Sequence, residues 1–334
     1  VGLDFIFITD LNNYSPLKKH EKYYNQLLVF IDGEFSYLDS RLLNYGREDY
    51  TEINSPGQAQ MIFSDLLGRT EKPKKTGVLV LAHPFKKGYQ WQGDVPKGMD
   101  GIEVVNLKSI WQNAWLNDKA SFLWSLLFYP FNPELALIRM FPFPHRELAL
   151  WDEMNLSRKT IGFAGADAEA RLKFPKNSSL KIPSYENIFN IVRTHVLLSS
   201  ELTGNAESDR QKIYRALHSG QFYFSLDKMA NPKGFNSLVT DGKNHSYPIG
   251  SELKWRENLR LWVTLPEKPH YPFDVMIFKD GHKILSSNSK ETSYVIPAPG
   301  VYRVIIRVIP TFPLPDGKKW IPWIFTNPFF IKGA

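Results

Sequence analysis

The chain has 334 residues, of which 43% are hydrophobic and 22% charged, and its formal net charge is +7. A chain of this length usually divides its core, so two domains are expected. Cysteine is absent, which excludes disulfides, thiolate catalysis and cysteine-ligated zinc. The lysines form short clusters at 72–75 and 86–87 and no long basic stripe, so we expect no nucleic-acid partner.

The first hundred residues contain several short, continuous apolar runs, each typical of a strand buried on both faces. The clearest is GVLVLAHPF, in which five apolar residues precede His83 and Pro84. Proline ends a ladder, so His83 is expected at the carboxyl end of a strand, where α/β folds place their chemistry. The predicted strands are 2–10, 27–31, 77–85 and 101–106, with an antiparallel excursion at 35–46 and a helix at 56–67.

Residues 109–145 are rich in Trp, Phe and Pro, and no apolar run reaches the roughly 20 residues of a spanning helix. Trp111, Trp115 and Phe122 have the spacing of one helical face, which we expect to pack on the sheet. The alternative is a membrane-surface helix, which this segment matches less well because its polar face lacks a Lys/Arg array.

A strand at 160–167 and helices at 151–158 and 209–219 follow, the last ending at Gly220. Ser184 is expected to cap another helix with apolar residues at helical spacing, on which His195 is a packing residue. That spacing is carried by Ile188, Ile191, Val192 and Val196.

From about residue 231 the period changes to strict alternation, and Asp280-Gly281 and Pro299-Gly300 mark turns. The predicted organisation is therefore an α/β domain at 1–228 and a small antiparallel, immunoglobulin-like β-sandwich at 229–334. Trp320, Trp323 and Phe325 are expected on an edge strand folded back onto the first domain; the alternative is that they face a partner. The predicted strands lie at 259–265, 273–278, 293–296 and 301–308.

Four of the predicted strands end in a residue that binds metals: Asp10, Glu34, His83 or Asp167. Strand ends of an α/β fold meet at one edge, and carboxylates with an imidazole are the ligands of Mn, Fe, Zn or Mg hydrolytic sites. Neither a phosphate-binding glycine loop nor a serine nucleophile elbow is present.

The segments GLDFIFITDLNN, IDGEFS, LVLAHPF, GIEVVN and GADAEA, in this order, resemble the PHP (polymerase and histidinol phosphatase) superfamily. The resemblance covers about residues 1–228 and extends to a bacterial subgroup with a C-terminal β-sandwich. It implies a distorted (β/α)7 barrel with a metal-dependent phosphoesterase site, in which the chain begins after the first strand and its HxH motif.

Several ligand positions depart from that family's pattern. Leu11 and Arg41 stand where the family has histidines, and Glu169 replaces a third. Glu34, His83 and Asp167 keep the family's ligand types, and Glu103 matches a position that is usually structural. An arginine side chain has no lone pair for a metal. We therefore expect the Arg41 guanidinium to neutralise Glu34, Asp167 or Glu169 in place of the metals.

The sequence thus favours a PHP-like pseudoenzyme without cofactor, acting as a binding or scaffolding module for a protein partner. The alternative is a residual phosphoesterase with one or two ions among Mg, Mn, Ca or Zn, held by Glu34, His83, Asp167 and Glu169. In that alternative Lys86 or Arg171 binds the phosphate group of the substrate. The sandwich and the 14% aromatic content suggest an extracytoplasmic or membrane-associated location; a cytoplasmic one is the alternative.

Overall fold

A computed structural model describes residues 2–11, 15–46, 55–68, 77–168, 172–173, 179–180, 183–243, 245–310 and 319–333. The strands of these residues are β1 (Phe5–Leu11), β2 (Tyr23–Tyr24), β3 (Leu27–Tyr37), β4 (Ser40–Tyr45), β5 (Val78–Ala82), β6 (Gly101–Asn106), β7 (Ile161–Gly165), β8 (Leu172–Lys173), β9 (Ser179–Leu180), β10 (Val192–Val196), β11 (Phe222–Leu226), β12 (Asn236–Thr240), β13 (Ser246–Pro248), β14 (Glu252–Lys254), β15 (Arg260–Thr264), β16 (Phe273–Lys279), β17 (His282–Ser287), β18 (Glu291–Val295), β19 (Gly300–Val308), β20 (Ile321–Thr326) and β21 (Phe329–Lys332).

The helices are α1 (Pro56–Leu67), α2 (Leu107–Asn117), α3 (Lys119–Phe128), α4 (Pro133–Arg139), α5 (His145–Ser157), α6 (Tyr185–Phe189) and α7 (Ala206–Ser219), and a 3-10 helix spans Ser15–His20. Polar side chains set their boundaries by accepting a hydrogen bond from the first turn. Asn106, Asp118, Asn132, Ser184 and Asn205 cap α2, α3, α4, α6 and α7 in this way. Gly220 ends α7 in the left-handed conformation, as the sequence predicted.

The first sheet contains seven strands in the order β1-β3-β4-β5-β6-β7, with β2 paired to β3. β1 and β3 are parallel, as are β5, β6 and β7, whereas β4 is antiparallel to both of its neighbours. Every residue of β5 is buried, which confirms the predicted buried strand before His83. The helix predicted at 56–67 is confirmed as α1, and Phe63 on it packs against Phe35 of β3.

The predicted (β/α)7 barrel is wrong. Only two residues, Leu38 and Asp39, separate the paired residues Tyr37 of β3 and Ser40 of β4. This short antiparallel connection confirms the excursion predicted at 35–46, and it means that no helix separates β3 from β4, as the alternation of a (β/α)7 barrel requires. Over the described residues, seven helices accompany three larger β-sheets, and the first sheet starts at β1 and ends at β7 without closing.

The alternating strands predicted after residue 231 are confirmed, and they form β-sandwich-like structure. One sheet has the order β10-β11-β20-β19-β16-β17, to which β21 and β14 attach, and another has the order β13-β12-β15-β18. Lys279 pairs with His282 across the predicted Asp280-Gly281 turn. β11 lies before residue 228 and pairs with β20, so this sheet continues past the predicted domain boundary. The division into two domains stays a prediction.

Three local predictions are wrong. The expected helix through Ile188–Val196 is the short α6 followed by β10, whose alternating residues pair with β11. β20 is an inner strand, not an edge, because it is paired on both sides by β11 and β19. The expected single helical face of Trp111, Trp115 and Phe122 is divided, because Asp118 ends α2 and begins α3.

One side chain occupies the backbone groups of Gly162 on β7. Asn327, whose side chain is 1% exposed, accepts a hydrogen bond from Gly162 N at 2.8 Å through Oδ1. Its Nδ2 donates to Gly162 O at 3.3 Å and to Phe222 O at 3.4 Å. This amide therefore imitates a neighbouring strand and joins the first sheet to β11. Within the described part of the chain, no helix is long and apolar enough to span a membrane.

Candidate functional site

A cavity of about 1460 Å³ lies at the carboxyl ends of β5, β6 and β7 and extends along β1. Residues from α2, α3, α6 and β10 complete its lining. Two residues that the sequence singled out, Glu169 and Arg171, lie outside the described residues. The others all line this cavity: Asp10, Leu11, Glu34, Arg41, His83, Lys86, Glu103 and Asp167.

His83 lies buried at the end of β5, with its backbone at a φ of +30°. Few residues other than glycine adopt positive φ, and such strain persists only where surrounding contacts impose it. One such contact is the hydrogen bond from His83 N to Glu103 Oε2, at 2.8 Å. The ring Nε2 lies 3.5 Å from Glu34 Oε1, while the buried Nδ1 has no hydrogen-bond partner among the described residues.

Arg41 lies on β4 beside Glu34. Its Nε is 3.9 Å from Glu34 Oε1, and its Nη1 donates to Ser36 Oγ at 2.8 Å. The guanidinium also lies over the Tyr89 ring, 4.5 Å from the ring centroid. These contacts fix a permanent positive charge next to the carboxylate that the resemblance assigns to a metal. That Arg41 takes over the role of a metal stays a prediction.

Asp167 follows β7, also with positive φ, at +43°. Its Oδ2 is 3.0 Å from Lys86 Nζ, and its Oδ1 is 3.7 Å from Lys108 Nζ. Burial alone would raise the pKa of the Asp167 carboxyl, but the two ammonium groups outweigh it and lower that pKa. Lys86, which the alternative prediction assigned to phosphate, thus contacts a carboxylate of its own chain.

Glu103 lies in the middle of β6 and points into the floor of the cavity. Burial raises the pKa of its carboxyl to about 7, and the Asp167 carboxylate acts in the same direction. Oε2 accepts hydrogen bonds from His83 N and from Asn106 Nδ2, the latter at 3.0 Å. Oε1 lies against Gly165, where a Cβ atom would stand only 1.9 Å from it.

A second polar cluster lines the β10 side of the cavity. His195 Nε2 is 3.1 Å from Asp227 Oδ1, and Arg193 Nη1 is 3.7 Å from Asp227 Oδ2. The imidazole stacks on Tyr223, with ring centroids 4.7 Å apart. The sequence interpretation assigned His195 to packing on a helix and missed this pairing, although strand alternation through 192–196 was the available signal.

Tyr89 and Lys108 were also missed, because neither lies in a strand or in a recognisable motif. Tyr89 follows the turn after β5, and its ring contacts both Arg41 and Lys86. Lys108 is the second residue of α2 and reaches Asp167 from there. Their roles depend on the relative placement of β5, α2 and β7, which the sequence does not determine locally.

The described residues do not assemble a metal-binding set. Over the ranges that the structure covers, no group of three or more His, Asp or Glu side chains is placed to hold an ion. Glu34 and His83 supply two neighbouring donors, but Asp167 is in contact with two ammonium groups. The donor chemistry therefore does not fit a bound divalent ion without rearrangement of Lys86 and Lys108.

Comparison with known proteins yields no match of this chain to a protein-family model or to a curated protein.

Proposed function

We propose that this protein is a non-catalytic binding protein whose strand-end site is a degenerate, phosphoesterase-like metal site. One observation carries the proposal: two carboxylates that the resemblance assigns to metal ligands, Glu34 and Asp167, lie beside cations of the chain itself. Arg41 lies beside Glu34, and Lys86 and Lys108 contact Asp167. The order of PHP-like motifs in the sequence supports the phosphoesterase-like origin.

This arrangement opposes hydrolysis with two metals. Such chemistry requires carboxylates that converge on two ions, which activate a water and hold the phosphoryl oxygens. A guanidinium beside Glu34 repels a divalent cation and does not lose its proton. For Asp167 to bind an ion, its ion pair with Lys86 must first be broken, and Lys86 is itself buried.

The cavity offers a place to bind an organic molecule. Its volume of about 1460 Å³ exceeds the usual range for small-molecule pockets, roughly 300–1,000 Å³. Aromatic side chains line its walls and the ion pairs form its floor, which suits an amphipathic ligand with a charged group. The aromatic lining residues include Phe5, Phe7, Trp111, Phe122, Phe163 and Phe189. The protein partner expected from the sequence stays a prediction.

A residual phosphoesterase is the second candidate, favoured by the strained backbone of His83 and Asp167. Residues held at positive φ at the ends of strands are concentrated at active sites. In this candidate Glu34 and His83 are metal ligands, Asp167 joins them after Lys86 moves, and Lys86 then contacts phosphate.

Metal content and hydrolysis distinguish the two candidates. Protein purified without chelator is expected to contain no stoichiometric Mn, Fe or Zn, and to leave p-nitrophenyl phosphate intact after Mn²⁺ is added. Stoichiometric metal together with hydrolysis that His83→Ala abolishes would establish the enzyme and overturn the binding proposal.

A pair of substitutions tests whether residues 11 and 41 prevent metal binding. Leu11 pairs with Glu34 in the register of β1 and β3, and Arg41 also contacts Glu34. Leu11→His with Arg41→His removes the fixed charge and adds two imidazoles, so calorimetry should show at least a roughly tenfold gain in Zn²⁺ affinity. The matched control, Lys87→His, adds an exposed imidazole outside the cavity and should give no gain.

A further inference from the structure

The α3 helix is oriented opposite to the usual amphipathic arrangement. Its buried face carries Ser125, which is 0% exposed, while leucine and tryptophan face outward. Leu127 is 62% exposed, and Phe131, in the turn after the helix, is 87% exposed. An extended apolar patch on a protein surface usually marks an interaction site.

Arg139 of α4 fixes this orientation from inside. Its Nη1 donates to Ser125 Oγ at 2.7 Å and to Ser121 O at 2.8 Å, and its side chain is buried. Turning the leucines inward would separate this buried guanidinium from its acceptors, which costs several kcal/mol. The outward position of the leucines is therefore imposed by the fold.

The exposed apolar residues form one continuous surface along α3 and the end of α2, which we call the α2–α3 surface. Leu123 and Leu127 lie four positions apart on α3, so their side chains adjoin along the helix, and Phe131 is exposed in the turn that follows. Trp115 joins them through its edge contact with Phe122, at 5.3 Å between ring centroids. The α2–α3 surface consists of Trp115, Leu116, Leu123, Trp124, Leu126, Leu127 and Phe131.

The charge of this segment is compatible with an anionic partner, although the segment lacks the Lys/Arg array of a typical membrane-surface helix. No acidic residue occurs from 119 to 133, Glu134 after it pairs with Lys228 at 3.3 Å, and Lys119 Nζ lies 5.5 Å from the centroid of the Trp115 ring. Asp118, which precedes this stretch, accepts the N-cap hydrogen bond of Ser121 N and so offsets the positive end of the α3 dipole. The chain as a whole carries a formal charge of +7.

From this geometry we infer that the α2–α3 surface docks the protein on an anionic lipid bilayer. Exposed leucines on one short helix, with Trp124 among them and Trp115 on the preceding helix, are suited to the boundary between headgroups and acyl chains, to a depth of about 5–10 Å. A second copy of the chain would have to supply a groove for Phe131, whereas a bilayer accommodates a projecting phenyl ring without one. Trp115 and Phe122 also line the cavity, so its α2–α3 wall lies beside the bilayer.

Flotation with vesicles tests this inference on the intact chain. The probes are vesicles of phosphatidylcholine alone and vesicles of phosphatidylcholine mixed with phosphatidylglycerol. The protein should float with the mixed vesicles, and added salt should weaken that binding. Leu127→Gln with Phe131→Gln should reduce the bound fraction at least about tenfold, because two buried apolar side chains are lost.

The matched control, Met61→Gln with Val295→Gln, replaces two exposed apolar residues on α1 and β18 and should bind like the wild type. Circular dichroism identifies any variant that fails to fold. In that case Trp124→Phe replaces it, and the measurement is the quenching of tryptophan fluorescence by brominated lipid, which this variant should show less than the wild type. The inference is overturned if the wild type binds neither kind of vesicle, or if Leu127→Gln with Phe131→Gln binds as well as the wild type. It is also overturned if this double variant abolishes self-association of the protein in the absence of lipid.

This test is independent of the binding proposal for the cavity, because neither Leu127 nor Phe131 lines it.

Discussion

Arg303 of β19 and Asp152 of α5 form a two-point ion pair between the second sheet and a helix that packs on the first. Arg303 Nε donates to Asp152 Oδ1 at 2.8 Å, and Nη2 donates to Oδ2 at 2.6 Å. Arg303 is 2% exposed, and its guanidinium lies 4.2 Å from the centroid of the Phe278 ring. Because the guanidinium is planar, it can bind both carboxylate oxygens at its edge and lie against the Phe278 ring with its face.

Arg303→Lys should therefore destabilise the protein although it keeps the charge. An ammonium group cannot match both carboxylate oxygens in this geometry, so we expect a loss of about 2 kcal/mol in the free energy of unfolding. Urea denaturation followed by circular dichroism measures it. Arg215→Lys on the exposed side of α7 is the control and should change stability by less than about 0.5 kcal/mol. Equal effects of the two variants would contradict the assigned role of the pair.

Removing the Asn327 side chain should also destabilise the protein, at the junction between the two sheets. Asn327→Ala leaves Gly162 N and Gly162 O without the partners that they have in the fold. Each buried unsatisfied group costs about 1–3 kcal/mol, so for the two groups we expect a loss of about 2–6 kcal/mol in the free energy of unfolding. Asn236→Ala, at the exposed start of β12, is the comparison and should be nearly neutral in thermal and urea unfolding.

Glu103 should make stability depend on pH. Because burial raises its pKa from 4.5 to about 7, the folded protein holds this proton more tightly than the unfolded chain does. Its contribution to stability is therefore complete below about pH 4.5 and is lost as pH rises to about 7. Glu103→Gln stays neutral and keeps an acceptor for His83 N, so it should lose less stability over this interval.

Urea titrations across that pH interval provide the measurement. Asp32 shifts in the same direction, since burial raises its pKa to about 7, and Asp32→Asn serves as an independent comparison. Parallel stability curves for the wild type and Glu103→Gln would show that Glu103 titrates normally in the fold.

Gly165→Ala should disturb the same carboxylate by steric means. A Cβ at this position would stand 1.9 Å from Glu103 Oε1, and the other carboxylate oxygen is held by His83 N and Asn106. We expect a loss of about 1–3 kcal/mol, typical of overpacking.

Shortening the side chain of Glu103 should partly restore the stability that Gly165→Ala loses. Combining Gly165→Ala with Glu103→Asp should give a smaller loss than the two single changes added together. Gly57→Ala on α1, where a Cβ meets nothing within 4 Å, controls for the loss of glycine itself. Strict additivity in a double-mutant cycle would exclude the predicted clash.

The local elements were predictable where the sequence itself determines them. The buried run before His83, the helix at 56–67 and the glycine stop at Gly220 all follow from periodicity, proline or left-handed backbone. The spacing of Ile188, Ile191 and Val192 also fits a helix, yet residues 192–196 pair with β11, a distant segment. Long-range pairing outweighed local periodicity there.

The barrel prediction failed because it assumed that helices alternate with the strands and that the sheet closes. Over the described residues the first sheet runs from β1 to β7 without closing, and only two residues join Tyr37 of β3 to Ser40 of β4. That reversal agrees with the antiparallel excursion predicted at 35–46. The orientation of α3 was equally hidden, because it depends on Arg139 of a different helix reaching Ser125.

The lining of the cavity was predictable, whereas its ion pairs were not. Glu34, His83 and Asp167 each follow an apolar run, so their meeting at the carboxyl ends of the strands could be inferred. The two cations that contact Asp167 could not be inferred in this way. Lys86 and Lys108 lie in a turn and a helix, and the positions of these elements depend on the whole fold.

The amide of Asn327 also bears on how this protein avoids aggregation. By occupying both backbone groups of Gly162, it denies that edge of the sheet to any strand from another molecule. A strand from another molecule could pair with β7 at Gly162 only after expelling this buried asparagine.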